Sequence, residues 1–493
     1  MSEHNHRDIL LVAVNARYSH CSFAARSLLA NLGTLERQAA ILECDLEITP
    51  VQLAERITAH NPRIVSFSVY LWNVRLIEST ARILRLVAPD LKLVAGGSEI
   101  TSEYPHVNLF DAVIIGEGEA AFRAFCETSI PSPAPSLSTS PSQRDPNSQL
   151  LTPNSQFLIP NSLTLPYHLY TDEDLSRRTI YVETSRGCPY NCGYCASAGS
   201  GLRLLPLDRI LPAFDRLWQR GLRRFKFLDR NFNAPVAHAC AVLDFFQERV
   251  TPKDTCLHLE INPERLHPDV ADRLARFPAG TLHLEAGIQT LNPQVAAAAG
   301  RSPDTATTLA NLRFLTRETG ADVHADLIFG LPGEDEASFA NGFNTLVTTC
   351  APPEVQVNLL KGLPGTRFAR EADSLGLVFS PEPPYGLLRS DTMDFETLCR
   401  IQRLARCWER VHNRGRFPHA VRAFHAACGP DLFGAYTRLA ARLYAGEGRL
   451  FAIGMPRLAG YLREELTETC GLGAAEADRL LTADLNAKTL HEG

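Results

Sequence analysis

Short, continuously apolar runs alternate with amphipathic stretches through most of this chain, and that alternation admits few architectures. DILLVAV, AAILECDLEI, RIVSFSV, LKLVAGG and DAVIIGEGE are separated by helical patterns over about 22–35, 50–60 and 73–88 and closed by one that reaches about 128. Strands apolar on both faces must be covered on both, so they predict a parallel sheet between two helical layers. Five such strands fit a flavodoxin-like, Rossmann-type domain over 1–129. A doubly wound sheet binds ligands outside the carboxyl ends of its strands, which directs attention to residues 15–22, 66–73, 96–101 and 116–119.

Residues 130–166 break the pattern: they are rich in Pro, Ser and Asn, repeat PNS three times and are too poor in apolar residues to form a core, so a linker is expected. The alternation resumes over 167–376 with TIYVET, FKFLD, CLHLEIN, TLHLEAG, DVHADLIFG and EVQVNLL. Six strand–helix units predict a partial (β/α)6 barrel of the TIM type. After 376 the strands stop, and LCRIQRLARCWERVHN and its successors show helical spacing, so 377–493 is expected to be a helical accessory region.

A length of 493 residues leaves room for about three domains. No apolar run approaches the roughly 18 residues of a membrane span, and the opening MSEHNHRDILLVAVNARYSH lacks the features of a secretory signal, so a cytoplasmic protein is expected. Its 13 cysteines are odd in number and scattered apart from one tight group, which argues against a disulfide framework. The net charge of −6 offers nothing to a polyanion. Arg216, Arg220, Arg223, Arg224 and Lys226 cluster at a predicted helix end, where cations complement the dipole, so nucleic acid is not an expected partner.

The tight group is RGCPYNCGYC, which sets Cys188, Cys192 and Cys195 on one loop after the first barrel strand, at the end where barrels carry their chemistry. Structural zinc needs a fourth ligand and usually paired CxxC elements, whereas the next cysteine, Cys240 beside His238, is more than a strand and a helix away. A 4Fe-4S cluster on three thiolates has one iron left for an exogenous ligand.

CxxxCxxC after a strand, preceded by Arg-Gly and with an aromatic before the last cysteine, resembles the radical S-adenosylmethionine (SAM) superfamily, and the likeness extends over 179–375. It implies a 4Fe-4S cluster on Cys188, Cys192 and Cys195, SAM chelated to the open iron, and reductive cleavage of SAM to a 5'-deoxyadenosyl radical. Tyr194 would then lie near the cluster and adenine, and FKFLDRNF would meet the methionine end of SAM through Phe227, Leu228 and Asp229. Glu260, Glu285 and Gln289 would face ribose or substrate, and DLIFGLPGE, with Ile328 and Gly330, would contact adenine. The same letters also suit plainer roles: a strand-end carboxylate can cap a helix or pair with a cation, and Gly330, Pro332 and Gly333 make an ordinary turn.

The amino-terminal segment resembles the cobalamin-binding domain that precedes the barrel in the branch containing anaerobic porphyrin cyclases and radical methyltransferases. VAGGSEITSEYP and DAVIIGEGE carry that likeness, which implies a cobalamin site at Ser66, Ser68, Gly96, Gly97 and Gly116; the alternative is a degenerate domain that binds nothing. Histidine-ligated cobalamin domains have Asp-x-His-x-x-Gly after the first strand, but here NARYSHCSF sets Asn15 and Arg17 in those places, with His20 as the one available imidazole. Methylthiotransferases hold a second cluster in their front domain; Cys21, Cys44 and Cys126 fall on a loop, a strand and a helix and cannot converge. His412, His419, His425, Cys407 and Cys428 in the tail match no ligand spacing. The expected activity is methyl transfer to a small-molecule substrate, with an electron donor such as flavodoxin or ferredoxin as partner. The alternatives are a cyclase or oxidoreductase without methyl transfer, or a non-catalytic iron–sulfur or cobalamin sensor.

Overall fold

The first five strands, β1 (Ile9–Asn15), β2 (Ala39–Asp45), β3 (Ile64–Ser68), β4 (Lys92–Gly96) and β5 (Ala112–Ile114), run parallel in the order β2–β1–β3–β4–β5 in a computed structural model that describes residues 7–130, 149–151, 162–252 and 254–489. This is the flavodoxin-like order, with its topological switch point between β1 and β3. Leu10, Val12 and Val14 alternate into a core under helices α2 (Pro50–Ala59) and α3 (Val74–Val87), while Ile9, Leu11 and Ala13 face α1 (Phe23–Ala30) and α4 (Glu119–Ser129). Both sides of β1 are covered, which is why its run is apolar without interruption. Helix α2 starts on a capping box of Thr49 and Gln52 with Pro50 in its first turn.

Two expectations need correction here. The helix expected over about 22–35 ends at Ala30, because Gly33 takes φ +61° and opens a separate 3-10 turn over Gly33–Gln38. The linker expected over 130–166 contributes a short strand, β6 (Gln149–Leu151), parallel to β5, so the sheet has six strands; residues 131–148 and 152–161 lie outside the described residues.

The described residues form two compact units, the first drawn from 1–187, 200–229 and 363–366 and the second from 188–199, 230–362 and 367–493. Within the first, β7 (Ile180–Val182) pairs in parallel with a later strand, and β8 (Ser185–Arg186) pairs antiparallel with β9 (Arg203–Leu204). The parallel partner of β7 is β10 (Arg224–Phe227). A buried network of two arginines and two acids belongs to this unit: Arg26 reaches Glu43 at 3.0 Å and Asp174 at 2.9 Å, and Arg178 reaches the same two acids at 2.8 and 3.1 Å. Charges buried this far from water are tolerable only when each has a partner.

The second unit contains β11 (Cys256–Ile261), β12 (Leu282–Gln289), β13 (Asp322–Phe329) and β14 (Glu354–Leu359), parallel and adjacent in that order. With β7 and β10 they are the six strands that the sequence predicts. Leu257, Leu259 and Ile261 on β11 and Leu282, Leu284, Ala286 and Ile288 on β12 are buried, and the intervening residues, His258, Glu260, His283 and Glu285 among them, make a polar opposite face. Strands do not stop at 376: β15 (Val378–Phe379) and β16 (Leu387–Arg389) form an antiparallel hairpin before the first tail helix, Phe395–Trp408. Strands of two and three residues are too short to leave a periodic signal. In the tail, His412 and His425 stack on the buried Trp408 at 4.0 and 5.9 Å, and burial lowers both imidazoles to about 4, so they are core groups. Among the described residues no helix is long and apolar enough to cross a membrane.

Two positions generate tests of this architecture. Gly97 has φ +117°, and a Cβ there would lie 2.3 Å from the Val69 carbonyl oxygen, whereas a Cβ on Gly96 meets nothing nearer than 3.5 Å. Gly97→Ala is therefore expected to destabilise the amino-terminal domain by about 2–4 kcal/mol in urea melts, with Gly96→Ala near neutral. Glu334, 1% exposed, accepts from the Thr290 hydroxyl at 2.6 Å, and burial pushes its carboxyl up to about 7. Between about pH 4.5 and 7 the unfolded chain releases this proton while the folded chain retains it. Stability from this group is therefore full at low pH, falls through that window by about 2–3 kcal/mol and is flat above it. Urea melts at pH 5 and 8 should show a larger loss in the unsubstituted protein than in Glu334→Gln; equal losses would refute the buried neutral acid.

Candidate functional site

Gly187 opens the cysteine loop at φ +82°, where a Cβ would overlap the Gly201 carbonyl oxygen at 1.8 Å, so the chain can turn there only without a side chain. In the loop itself the Cys195 N–H donates to Cys192 O at 3.0 Å and the Gly199 N–H to Tyr190 O at 3.2 Å. Gly193 donates to Ala299 O, accepts from the Phe368 N–H, and lies under the Phe368 ring, which would be 2.3 Å from a Cβ. Cys188, Cys192 and Cys195 are half-buried and in no disulfide. Burial pushes the Cys188 thiol up, a Tyr190 N–H opposes it, and Cys195 and Cys192 push it further, which marks the three sulfurs as neighbours. Three thiols with no fourth Cys or His in the loop fit a 4Fe-4S cluster with one open iron better than a closed structural zinc site.

Arg186, the residue before Gly187, sits in a cage of carboxylates. It reaches Glu183 at 2.7 Å, Glu119 at 2.8 Å and Glu117 at 3.3 Å, and Arg203 pairs with Glu117. Burial works against ionising Glu119, but Arg186 and the Ser27 hydroxyl outweigh it and hold that carboxyl below its ordinary value. Thus the acids of GEGE serve the arginine that leads into the cysteine loop. Sequence reading missed this, because partners nearly 70 residues apart have no spacing signal.

Asp229, an expected SAM contact, is engaged within the protein. Its carboxylate accepts from the Thr184 N–H at 2.9 Å, the Thr184 hydroxyl at 2.6 Å and the Ser185 hydroxyl at 2.5 Å, so it clamps the turn after β7. Phe227 is buried against Phe214, and Leu228 donates its N–H to Val182 O. These two residues also secure strand ends.

In the second unit, the Tyr194 hydroxyl accepts from Arg301 at 3.2 Å, and Arg301 is fixed by Glu264 at 2.6 Å and by Gly287 O at 2.8 Å. Arg301, Tyr190 and Cys192 help to wall a cavity of about 300 Å3 beside the cysteine loop. Gln289, at the bulged end of β12, has φ +70°, a conformation that is costly for a side chain with a Cβ and that concentrates at functional sites. Glu260 lies 3.9 Å from Arg230, and Glu285 lies 2.6 Å from His258. Ile328 shares the polar face of β13 with Asp326. Gly330 is required by packing: at φ +87° its Cβ would be 2.5 Å from Leu387 of the hairpin. Arg301 and Glu264 were not singled out from sequence, since an isolated Arg–Glu pair resembles any surface pair.

At the carboxyl edge of the first sheet, Ala13, Ser68, Gly96 and Ile114 stand side by side across β1, β3, β4 and β5 on the face toward α1 and α4. Ser66 lies one row below, and Gly116 takes φ +84° just past β5. A Cβ on Gly96 would meet only ordinary contacts, with Ile114 O at 3.5 Å, and Ala13, Ser68 and Gly96 keep this edge lined by small residues. At the switch point Trp72, 48% exposed, stacks on Tyr70 at 4.6 Å and donates its indole N–H to Val14 O. Neither was expected, because an aromatic in a loop leaves no pattern. Asn15 is buried and donates to His20 O and to Glu43, while His20 turns its Nδ1 to within 2.6 Å of the Tyr181 hydroxyl; Arg17 is exposed.

Comparison with known proteins gives matches to three families. The B12 binding domain family matches residues 9–126, the Radical SAM superfamily matches 182–345, and a family described as a protein of unknown function (DUF4080) matches 373–456. The cobalamin-dependent radical SAM methyltransferase TokK of Streptomyces tokunonensis is 25% identical over 77% of this chain and 59% of its own length. The 2-(S-pantetheinyl)-carbapenam-3-carboxylate methyltransferase of Streptantibioticus cattleyicolor is 25% identical over 37% of this chain and 29% of its own. The chain therefore spans well under two thirds of these relatives. Among solved structures, the radical SAM methyltransferase TsrM from Kitasatospora setae, with cobalamin and a [4Fe-4S] cluster bound, has a TM-score of 0.55 at 18% identity, over 76% of this chain and 78% of that one. OxsB, a cobalamin-dependent radical SAM enzyme, has a TM-score of 0.60 at 12% identity over 98% of this chain and 81% of that one. With three clustered thiols on a glycine-gated loop and a flavodoxin-like sheet ahead of them in sequence, the chain carries a B12-binding domain over 9–126 in front of a radical SAM domain over 182–345.

Proposed function

We propose that the protein is a cobalamin-dependent radical SAM methyltransferase that acts on a small-molecule substrate. The observation that carries this reading is the co-occurrence in one chain of the three-thiol loop and a switch point equipped for a corrin. With cluster, SAM and cobalamin bound, the cofactors supply a 5'-deoxyadenosyl radical and a carrier for the methyl group. Cys188, Cys192 and Cys195 would hold the cluster. Tyr194, kept in place by Arg301, and the strained Gln289 stand where SAM is expected to lie. The Ala13–Ser68–Gly96 row would receive the nucleotide tail, and the exposed Trp72–Tyr70 pair offers an apolar surface to the corrin. His20 is engaged with Tyr181 and Asn15 with Glu43, which favours cobalamin bound without a histidine ligand.

Methyl transfer is preferred to cyclisation because TokK, matched over 77% of this chain, is a methyltransferase, and because a bimolecular transfer gains most from a domain that positions its carrier. Residues 373–456, which match the family of unknown function, lie outside the radical SAM match, and we assign substrate choice to that region.

Cobalamin binding is tested at Gly96: Gly96→Leu should fill the groove and abolish cobalamin retention on gel filtration while iron per chain stays unchanged. The reaction class is tested in a reduced assay with methyl-labelled SAM and a pool of candidate substrates. Methyl transfer predicts labelled product with 5'-deoxyadenosine and S-adenosylhomocysteine in equal amounts, all abolished by Cys188→Ala. Coupled turnover that gives 5'-deoxyadenosine alone would reject methyl transfer in favour of a radical cyclase or oxidoreductase.

A further inference from the structure

On the polar face of the second unit's strands, two imidazoles and a carboxylate converge. His258 on β11 and His283 on β12 stand directly opposite each other, with ring centroids 4.4 Å apart and planes inclined by 49°. Glu285, two residues further along β12, brings Oε1 to 2.6 Å from His258 Nε2. One ligand atom from each of the three lies within 4.8 Å of the other two, and among the described residues no other three His, Cys, Asp or Glu side chains gather so closely.

A simple ion pair does not account for this arrangement. His258 Nε2 is shielded from solvent, and despite its short approach to Glu285 it makes no hydrogen bond of acceptable angle. Proximity without that angle is what two donors to a common third atom produce. His283 adds a second imidazole against the first, which a carboxylate–imidazole pair has no use for.

We propose that His258, His283 and Glu285 form a binding site for one divalent transition-metal ion, separate from the cysteine loop. Two nitrogens and one carboxylate oxygen are the donors of His2Glu zinc centres and of the two-His, one-carboxylate triad of ferrous iron. Magnesium and calcium take oxygen ligands and are poorly served by imidazole. Bonds of about 2.0–2.2 Å put tetrahedral ligand atoms a little over 3 Å apart, so side-chain rotation alone closes the observed set around an ion. The strands already fix the three Cα positions through register, His258 beside His283 and Glu285 beside His324. Three protein ligands leave a coordination position open for water or for an oxygen or nitrogen donor of a small molecule.

The test uses the full chain with its cluster reconstituted, desalted, given one equivalent of zinc(II) and passed through gel filtration before metal analysis. About one zinc per chain is expected in addition to the iron. His258→Ala and Glu285→Gln should each weaken zinc binding by about tenfold or more without lowering iron per chain. Cobalt(II) in the same site should give the visible bands of tetrahedral nitrogen and oxygen ligation with no thiolate charge-transfer band. Should His258→Ala fail to fold by circular dichroism, Glu285→Gln, which keeps the side chain's shape, decides the matter. Zinc retained equally by the variants, a sulfur charge-transfer band on cobalt, or no zinc bound at one equivalent would each overturn the assignment.

Discussion

Arg186 is the charge on which the cysteine loop depends. It is mostly buried, and three carboxylates, Glu183, Glu119 and Glu117, surround its guanidinium within 3.3 Å. A buried guanidinium cannot shed its proton, so it tolerates burial only with carboxylates around it. The next residue, Gly187, must turn with φ +82°, and the one after it is Cys188, the first cysteine of the loop. Asp229 fixes the same turn from the other side through Thr184 and Ser185. An electrostatic cage thus fixes the segment that leads into the three-thiol loop, and it does so without using any of the thiols.

The same division of labour recurs on β11 to β13. One set of alternating side chains, Leu257, Leu259, Leu282 and Leu284, is buried, which holds the strands against their helices. The other set is free to be chemical, and it is crowded with His258, Glu260, His283, Glu285, His324 and Asp326. Burial lowers His283 to about 4, with His258 and His324 adding to the effect, so this face keeps a neutral imidazole among acids. A polar interior of this kind needs a rigid apolar exterior, because every close approach of charged groups must be supported by packing elsewhere.

The strand–helix alternation, the order of elements and the three cysteines were legible because each rests on a short-range rule: period, turn residue or ligand spacing. The row Ala13–Ser68–Gly96 was legible in part, through its glycine and serines, since small residues at strand ends stand out against Val and Ile. What sequence could not reveal was the identity of partners. The Thr184 and Ser185 groups that hold Asp229 and the Leu387 side chain against Gly330 come from distant parts of the chain that no local pattern links. His258 and His283 are ordinary letters in two apolar strands, and only parallel register brings their rings to 4.4 Å. The hairpin Val378–Phe379 with Leu387–Arg389 escaped because it is shorter than any periodic window.

The likeness to OxsB at 12% identity and a TM-score of 0.60 bears on which residues such a fold requires. Where a Cβ would strike backbone, as at Gly97 against Val69 and at Gly187 against Gly201, the constraint is geometric and admits one residue. Core positions such as Leu10, Val12 and Leu259 ask only for apolar volume, which many sequences supply. Polar partners form a third class: Arg186 with its acids, or Arg301 with Glu264 and Tyr194, can be exchanged only as sets, since a half-replaced set leaves an unpaired buried charge. A fold built this way can replace most of its side chains while its few glycines and its intact charge sets continue to aim the same loop. The open positions that remain, on the polar strand face and in the tail, are where chains of one architecture can come to act on different molecules.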